Sequence, residues 1–210
     1  MMKDLYILGA GGFGRELHTW LSDEQVLLQR YRLRGFIDDA PTALDVFAID
    51  AQVVNSFTDL PDFKHSVFVC GVGNVALKRQ LCEPMLKAGA EFVSLIHPSA
   101  RVGPRVKLGR GVVICPGVTL TCDIEVGDLA MVNCHSTAGH DVVIESWTTI
   151  SGHCDLTGGS RVGEGAFLGS GVRVIPGKRV GSGATVGAGS VVIRHVAEGA
   201  RVFGNPARSF

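Results

Sequence analysis

Apolar residues are arranged in two different ways along this chain. Up to about residue 93 they come in short runs separated by glycine-rich or charged stretches. Beyond that they keep strict time: from Ile96 to Val192 every sixth residue is Leu, Ile or Val, with Ala138 the one exception. A helix repeats at about 3.6 residues and a strand at 2, so a period of six is neither. Hexapeptide periodicity predicts a parallel β-helix in which three six-residue sides make one coil and each key aliphatic points to the axis. Glycine follows the key residue at Val102, Leu108, Val126, Val162, Leu168, Val180 and Val186, where little bulk is expected. A prism this thin exposes flat sides, so a homotrimer that covers them is the natural expectation.

The first arrangement predicts alternating strands and helices. Leu5–Leu8 reads as a strand, followed by Gly9-Ala10-Gly11-Gly12-Phe13-Gly14 and a helical stretch from Arg15 to Leu21. A G-x-G-x-x-G turn between strand and helix lets backbone N–H groups approach a phosphate at the helix N-terminus. Leu33–Ile37 is a second strand ending in Asp38-Asp39, and acidic residues at such a strand end commonly hold ribose hydroxyls. Ser66–Cys70 is a third strand, running into Gly71-Val72-Gly73-Asn74. The helix expected over Val75–Ala88 has Lys78, Arg79 and Lys87 on its solvent side, and Phe92–Ile96 reads as a last strand. Together these predict a small parallel α/β domain over residues 1–93, half the size of a full dinucleotide-binding fold, followed by the β-helix and a tail over 94–210.

Composition excludes more than it assigns. The 210 residues carry no net charge by formal count, which argues against a nucleic-acid partner. No apolar run is long enough to span a membrane, and the N-terminus lacks a signal-peptide core, so a cytoplasmic protein is expected. The six cysteines form no C-x-x-C pair and read as reduced thiols. The tail Gly204-Asn205-Pro206-Ala207-Arg208 leaves the repeat, with Pro206 expected to end regular pairing.

Chemistry is sought where the hexads fit worst. The stretch from Val132 to Asp141 holds the lone Ala at a key position, Asn133, and the histidines His135 and His140, with Asp141 directly after His140. Neutral imidazole removes a proton near neutral pH, and a carboxylate beside it raises its basicity. Adjacent residues on a strand face opposite ways, so Asp141 reaches His140 only through a turn. A backbone N–H around Ser151-Gly152 is a candidate oxyanion donor. A second reading uses His135 and His140, spaced H-x₄-H, with His153 one coil above His135, as zinc ligands in the manner of gamma-class carbonic anhydrases, although no third histidine lies upstream.

Taken in order, the G-A-G-G-F-G turn, the short nucleotide-type domain, the hexads, the central Gly139-His140-Asp141 and the G-N-P-A-R tail resemble the sugar O/N-acetyltransferases of the NeuD/PglD type, from Leu5 to Arg208. The resemblance implies a Rossmann-like domain followed by a left-handed parallel β-helix, a homotrimer with sites between neighbouring β-helices, and an acetyl-CoA-dependent, metal-free reaction of bacterial surface-glycan biosynthesis. By that likeness His140 is the base and Asp141 its partner. Gly11, Gly12, Phe13, Asp38, Asp39, Gly73 and Asn133 meet a nucleotide-linked sugar. Thr149, Ser170 and Ala188 lie along acetyl-CoA. Two departures from the family pattern are Phe13 and Thr149, where relatives carry histidine, and a Thr hydroxyl does not titrate near neutral pH. Phe13 and the segment from Ala40 to Asp62 are expected to shape acceptor choice. The sequence leaves open whether the acceptor group is an amine or a hydroxyl, and the length of the acyl donor.

Overall fold

The computed structural model describes residues 2–21, 25–55 and 61–209. The chain forms two compact units, Met1–Leu95 and Ile96–Phe210. In the first, β1 (Lys3–Leu8), α1 (Gly12–Leu21), α2 (Gln25–Arg30), β2 (Tyr31–Asp38), β3 (Gln52–Asn55), β4 (Ser66–Cys70) and α3 (Val75–Lys87) follow in order. The four strands are parallel and lie in the order β3-β2-β1-β4. The chain steps outward from β1 to β3, then returns to the far side of β1 as β4. That reversal opens a crevice at the C-terminal ends of β1 and β4, where ligands of open α/β sheets bind. Leu5, Ile7, Val67, Phe68 and Val69 are fully buried, as in a parallel sheet covered on both faces.

Several expectations for this unit need correction. Strand β3 and helix α2 are additional: Gln52-Val53-Val54-Asn55 has too few apolar residues to announce itself. The strand expected over Phe92–Ile96 is split into an isolated bridge from Phe92 to Phe68 and the short strand Leu95–Ile96. Lys78 does not face solvent. It is 0% exposed, on the buried face that Cys82 and Met85 share at helical spacing. Burial pushes its ammonium down to about 8, against the opposing pull of Cys70 and Cys82.

The second unit is a parallel β-helix of two-residue strands on three sheets of five, six and eight strands. Up to Val192 the rungs are displaced by 18 residues, as in Met131 opposite Thr149, Thr137 opposite Asp155 and Val143 opposite Arg161, and the last, Thr185 opposite Arg201, by 16. From Ile114 to Val192 the key residues are at most 4% exposed. Ile96, Val102 and Leu108, in the first coil, remain partly open. A second inward series lies two residues before the key positions from Ile114 to Val174. Val112, Val118, Ile124, Ala130, Ser136, Val142, Thr148, Cys154, Ser160, Ala166 and Val172 are all buried there. Period-2 alternation puts both on one face, and the smaller partner fits beside the corner.

The corners obey a rule of their own. From Arg105 to Gly189 every sixth residue has φ between 55° and 73°. Glycine fills eight of these positions, but the six in succession from Asp123 to His153 all carry side chains: Asp123, Leu129, His135, Asp141, Trp147 and His153. The left-handed conformation costs an L-residue about 1–2 kcal/mol. The tail does not stop pairing at Pro206. Arg208–Ser209 turns back antiparallel on Arg201–Phe203, and Ala207 N–H donates to Val191 O at 2.8 Å.

Two buried serines, each two residues before a key aliphatic, differ in a testable way. Ser190 Oγ donates to Gly187 O at 2.6 Å and accepts from Gly204 N–H at 3.0 Å. Among the described residues Ser160 Oγ is buried with no partner. Ser190→Ala should lower unfolding stability by about 1 kcal/mol, whereas Ser160→Ala should leave it unchanged or raise it by up to about 1 kcal/mol, as read by denaturant melts.

Candidate functional site

The crevice of the first unit is a cleft of about 410 Å³ lined by Gly11, Gly12, Phe13, Asp38, Asp39 and Gly73, with Asn74, Leu77 and Leu81 beside them. The three glycines of the turn have three separate reasons to be glycine. Gly9 has φ +96°, and a Cβ on Gly14 would sit 1.9 Å from Gly9 O, so only glycine lets α1 pack against the turn. Gly11 has nothing within 4 Å of its missing Cβ, and neither has Gly73. Both leave backbone open to a ligand. Asp38 ends β2 and ties the crevice together: its Oδ2 accepts from Ala10 N–H at 2.7 Å and its Oδ1 from Ala40 N–H at 3.0 Å. Asp39 is exposed at the rim. Phe13 packs edge-on against Trp20, centroids 6.1 Å apart, which makes that wall apolar. In the segment from Ala40 to Asp62 the Phe47 ring centroid lies 3.7 Å from the Arg15 guanidinium carbon, and residues 56–60 of the segment lie outside the described residues.

On the β-helix, His140 lies just before a corner and Asp141 occupies it with φ +61°. This left-handed residue is the turn that the pair requires. It swings the carboxylate back so that His140 Nδ1 meets Asp141 Oδ2 at 2.7 Å. A carboxylate only accepts, so Nδ1 carries the proton and the lone pair of neutral imidazole is on Nε2. Both side chains are more than two-thirds exposed in the single chain, at 69% and 68%. Eighteen-residue spacing stacks further groups on this corner that hexad reading alone did not single out. Asp123 is one rung below Asp141, and Arg105 one below that, holding Asp123 by two hydrogen bonds of 2.5 and 2.8 Å. The Arg105 guanidinium first, then the Cys122 thiol, keep Asp123 down to about 2, so a second carboxylate stands ionised beside this corner. Asp123 in turn pushes the Cys122 thiol up, which disfavours a thiolate nucleophile there.

Residues 4–85 match the family described as the PglD N-terminal domain. A GDP-perosamine N-acetyltransferase of Escherichia coli O157:H7 is 30% identical over 167 residues, covering 79% of this chain and 75% of that protein. A histidine-to-asparagine variant of perosamine N-acetyltransferase from Caulobacter crescentus, solved with CoA and GDP-perosamine, superposes with a TM-score of 0.90 at 31% identity, covering 100% of this chain and 98% of that one. The acetyltransferase domain of PglB from Neisseria gonorrhoeae, solved with acetyl coenzyme A, gives a TM-score of 0.88 at 27% identity over 100% of both chains. The chain belongs to the NeuD/PglD family of sugar acetyltransferases. It is an acyltransferase.

For a member of this family, the residues expected along the donor divide between places. Thr149 is 4% exposed, on the eight-stranded sheet between Met131 and Phe167. Ser170 and Ala188 are exposed and stack on the corner between the eight- and six-stranded sheets. His140 occupies the next corner, between the six- and five-stranded sheets. Asn133 is half-buried, with its Oδ1 accepting from Cys134 N–H at 2.7 Å, which leaves its amide N–H₂ for other partners. Ser151 N–H donates to Leu168 O at 2.9 Å, so it does not serve as an oxyanion donor. The zinc alternative is not favoured: His135 and His153 stack 5.2 Å apart with Gly117 on the rung below them, and the named relatives are acetyltransferases.

If Asp141 accepts backbone strain for the sake of His140, Asp141→Gly should hold stability or raise it by up to about 1 kcal/mol while lowering turnover. Thermal melts and steady-state rates on one preparation read both effects.

Proposed function

We propose that this enzyme transfers the acetyl group of acetyl-CoA to a nucleotide-linked amino sugar. Two kinds of similarity support the acceptor and donor: the perosamine relative and a Bacillus subtilis relative, 34% identical over 121 residues and covering 51% of that protein, are N-acetyltransferases of GDP- and UDP-linked sugars, and solved relatives hold CoA or acetyl-CoA. The observation that carries the chemistry is the His140 Nδ1–Asp141 Oδ2 hydrogen bond of 2.7 Å, made from a left-handed residue. His140 Nε2 takes the proton as the acceptor nitrogen attacks the thioester carbonyl. The N–C bond forms, the C–S bond breaks, and the proton is available to the departing CoA thiolate. Transfer is direct, and no cysteine is required as a carrier.

The N-terminal unit is the Rossmann-like nucleotide-sugar module, over residues 1–93. Gly11, Gly12 and Gly73 offer open backbone to the nucleotide sugar, Asp38 and Asp39 face its ribose or base end, and Asn133 orients the acceptor. Open space at the missing Cβ atoms of Gly11 and Gly73 supports this cradle. The β-helix, over 94–210 with its tail, is left-handed and trimeric, and the protein works in the cytoplasm. Support for the trimer comes from the corners. Ser170 and Ala188 line one edge and His140 another, so a donor lying along the first edge meets a second chain's imidazole when prisms pack side by side. Cover from a neighbour also removes water from an imidazole that one chain leaves 69% exposed.

His140→Asn should lower kcat by about 10²–10⁴-fold with folding and acetyl-CoA binding retained, because it removes the base and little else. Turnover near that of the parent removes His140 from the mechanism. Sedimentation should give three times the 22.2 kDa chain mass, and a monomeric, fully active enzyme overturns the shared site.

A further inference from the structure

We infer that Gly158 is a positioning residue whose missing side chain keeps His140 Nε2 in place and accessible. Gly158 lies 18 residues after His140, on the next rung of the same corner. The rung is fixed beside it: Gly159 N–H donates to His140 O at 2.8 Å, and Gly177 N–H donates to Gly158 O at 3.1 Å. The imidazole lies with its edge over the Gly158 backbone. A Cβ at this position would be 2.5 Å from Nε2, 2.7 Å from Cε1 and 3.1 Å from Cδ2.

Nothing in the local backbone explains the glycine. Gly159 next to it has φ +67°, one of the left-handed corner positions, but Gly158 does not have a left-handed φ. Alanine therefore fits its conformation, and the three atoms nearest to its Cβ all belong to the histidine ring. That ring is the movable end of a side chain, so the substitution displaces it and spares the fold. The other side of the ring is already committed, with Nδ1 on Asp141 at 2.7 Å. A push at Nε2 thus either breaks that bond or carries the basic nitrogen away from the acceptor. To regain ordinary van der Waals contact the ring must move by about 1 Å, a displacement that costs about 10²-fold in rate when it befalls a catalytic group.

The inference rests on His140 as the base, and its test separates the two. Gly158→Ala is expected to lower kcat about 10²-fold with the KM values for acetyl-CoA and acceptor within about threefold of the parent, since ground-state binding is untouched. The melting temperature should stay within about 2 °C. Ring ¹⁵N spectra of histidine-labelled protein should show the His140 signals, assigned by their loss in His140→Asn, moved in Gly158→Ala. In a His140→Ala background the same substitution should change the residual rate by less than about twofold, because its target is gone. Parent-like kcat in Gly158→Ala, unmoved His140 signals, or an equal loss in both backgrounds each overturns the role of Gly158. Retained activity in His140→Asn instead overturns the base assignment, and the ring spectra still report on Gly158.

Discussion

A chain that coils with three six-residue sides must turn sharply at every sixth residue, and here each turn from Arg105 to Gly189 passes through the left-handed region. That backbone requirement governs the rest of the β-helix. It sets the 18-residue rung, stacks like positions into columns, and decides which residues can look outward from a corner. Glycine meets it without strain. An L-residue meets it only at an energetic disadvantage, so a side chain at a corner calls for a reason. The six consecutive side-chain-bearing corners from Asp123 to His153 bracket His140. Asp141 has its reason in the imidazole it holds. Asp123 has a partner in Arg105, and Leu129 is buried at 3% exposure, so it contributes apolar packing.

Much of this architecture is legible in the sequence. The key aliphatic series announced the β-helix because large branched residues at a fixed period have no other use. Its companion series was silent because Ser136, Thr148, Cys154 and Ser160 are small or polar, and their burial follows from position, not hydropathy. The corner rule was half visible in the glycines at 159, 165, 171 and 177, but it vanished from Asp123 to His153, where side chains replace them. In the first unit the G-x-G-x-x-G turn and the ends of β2 and β4 predicted a cleft, and its six expected residues do line one cleft. Lys78 was misread because a lysine ordinarily marks a solvated face, and its spacing with Cys82 and Met85 was the stronger signal.

The His140–Asp141 pair shows why linear reading reaches a site and stops short of its geometry. Two neighbours on a regular strand point apart, so the dipeptide alone gives two residue types and no contact. The corner supplies the missing rotation. The residues stacked around the pair, Arg105, Asp123, Cys122 and Gly158, are far away in sequence and fall together only once positions are counted in eighteens. Counting that way is available from the hexads themselves, so the information was present in a form that motif reading does not use.

The two ends of the proposed reaction share one physical device. In the cleft of the first unit, Gly11 and Gly73 leave backbone bare where the nucleotide sugar is proposed to lie, while Gly14 is required by packing. At the β-helix corner, Gly158 leaves room for the imidazole edge, while Gly159 is required by φ +67°. In each place one glycine serves the fold and another serves the site, side by side. Conformation separates them: a glycine with left-handed φ or a backbone clash belongs to the architecture. One with ordinary φ, and with a movable side chain or open cleft nearest to where its Cβ would lie, is free to serve the proposed chemistry.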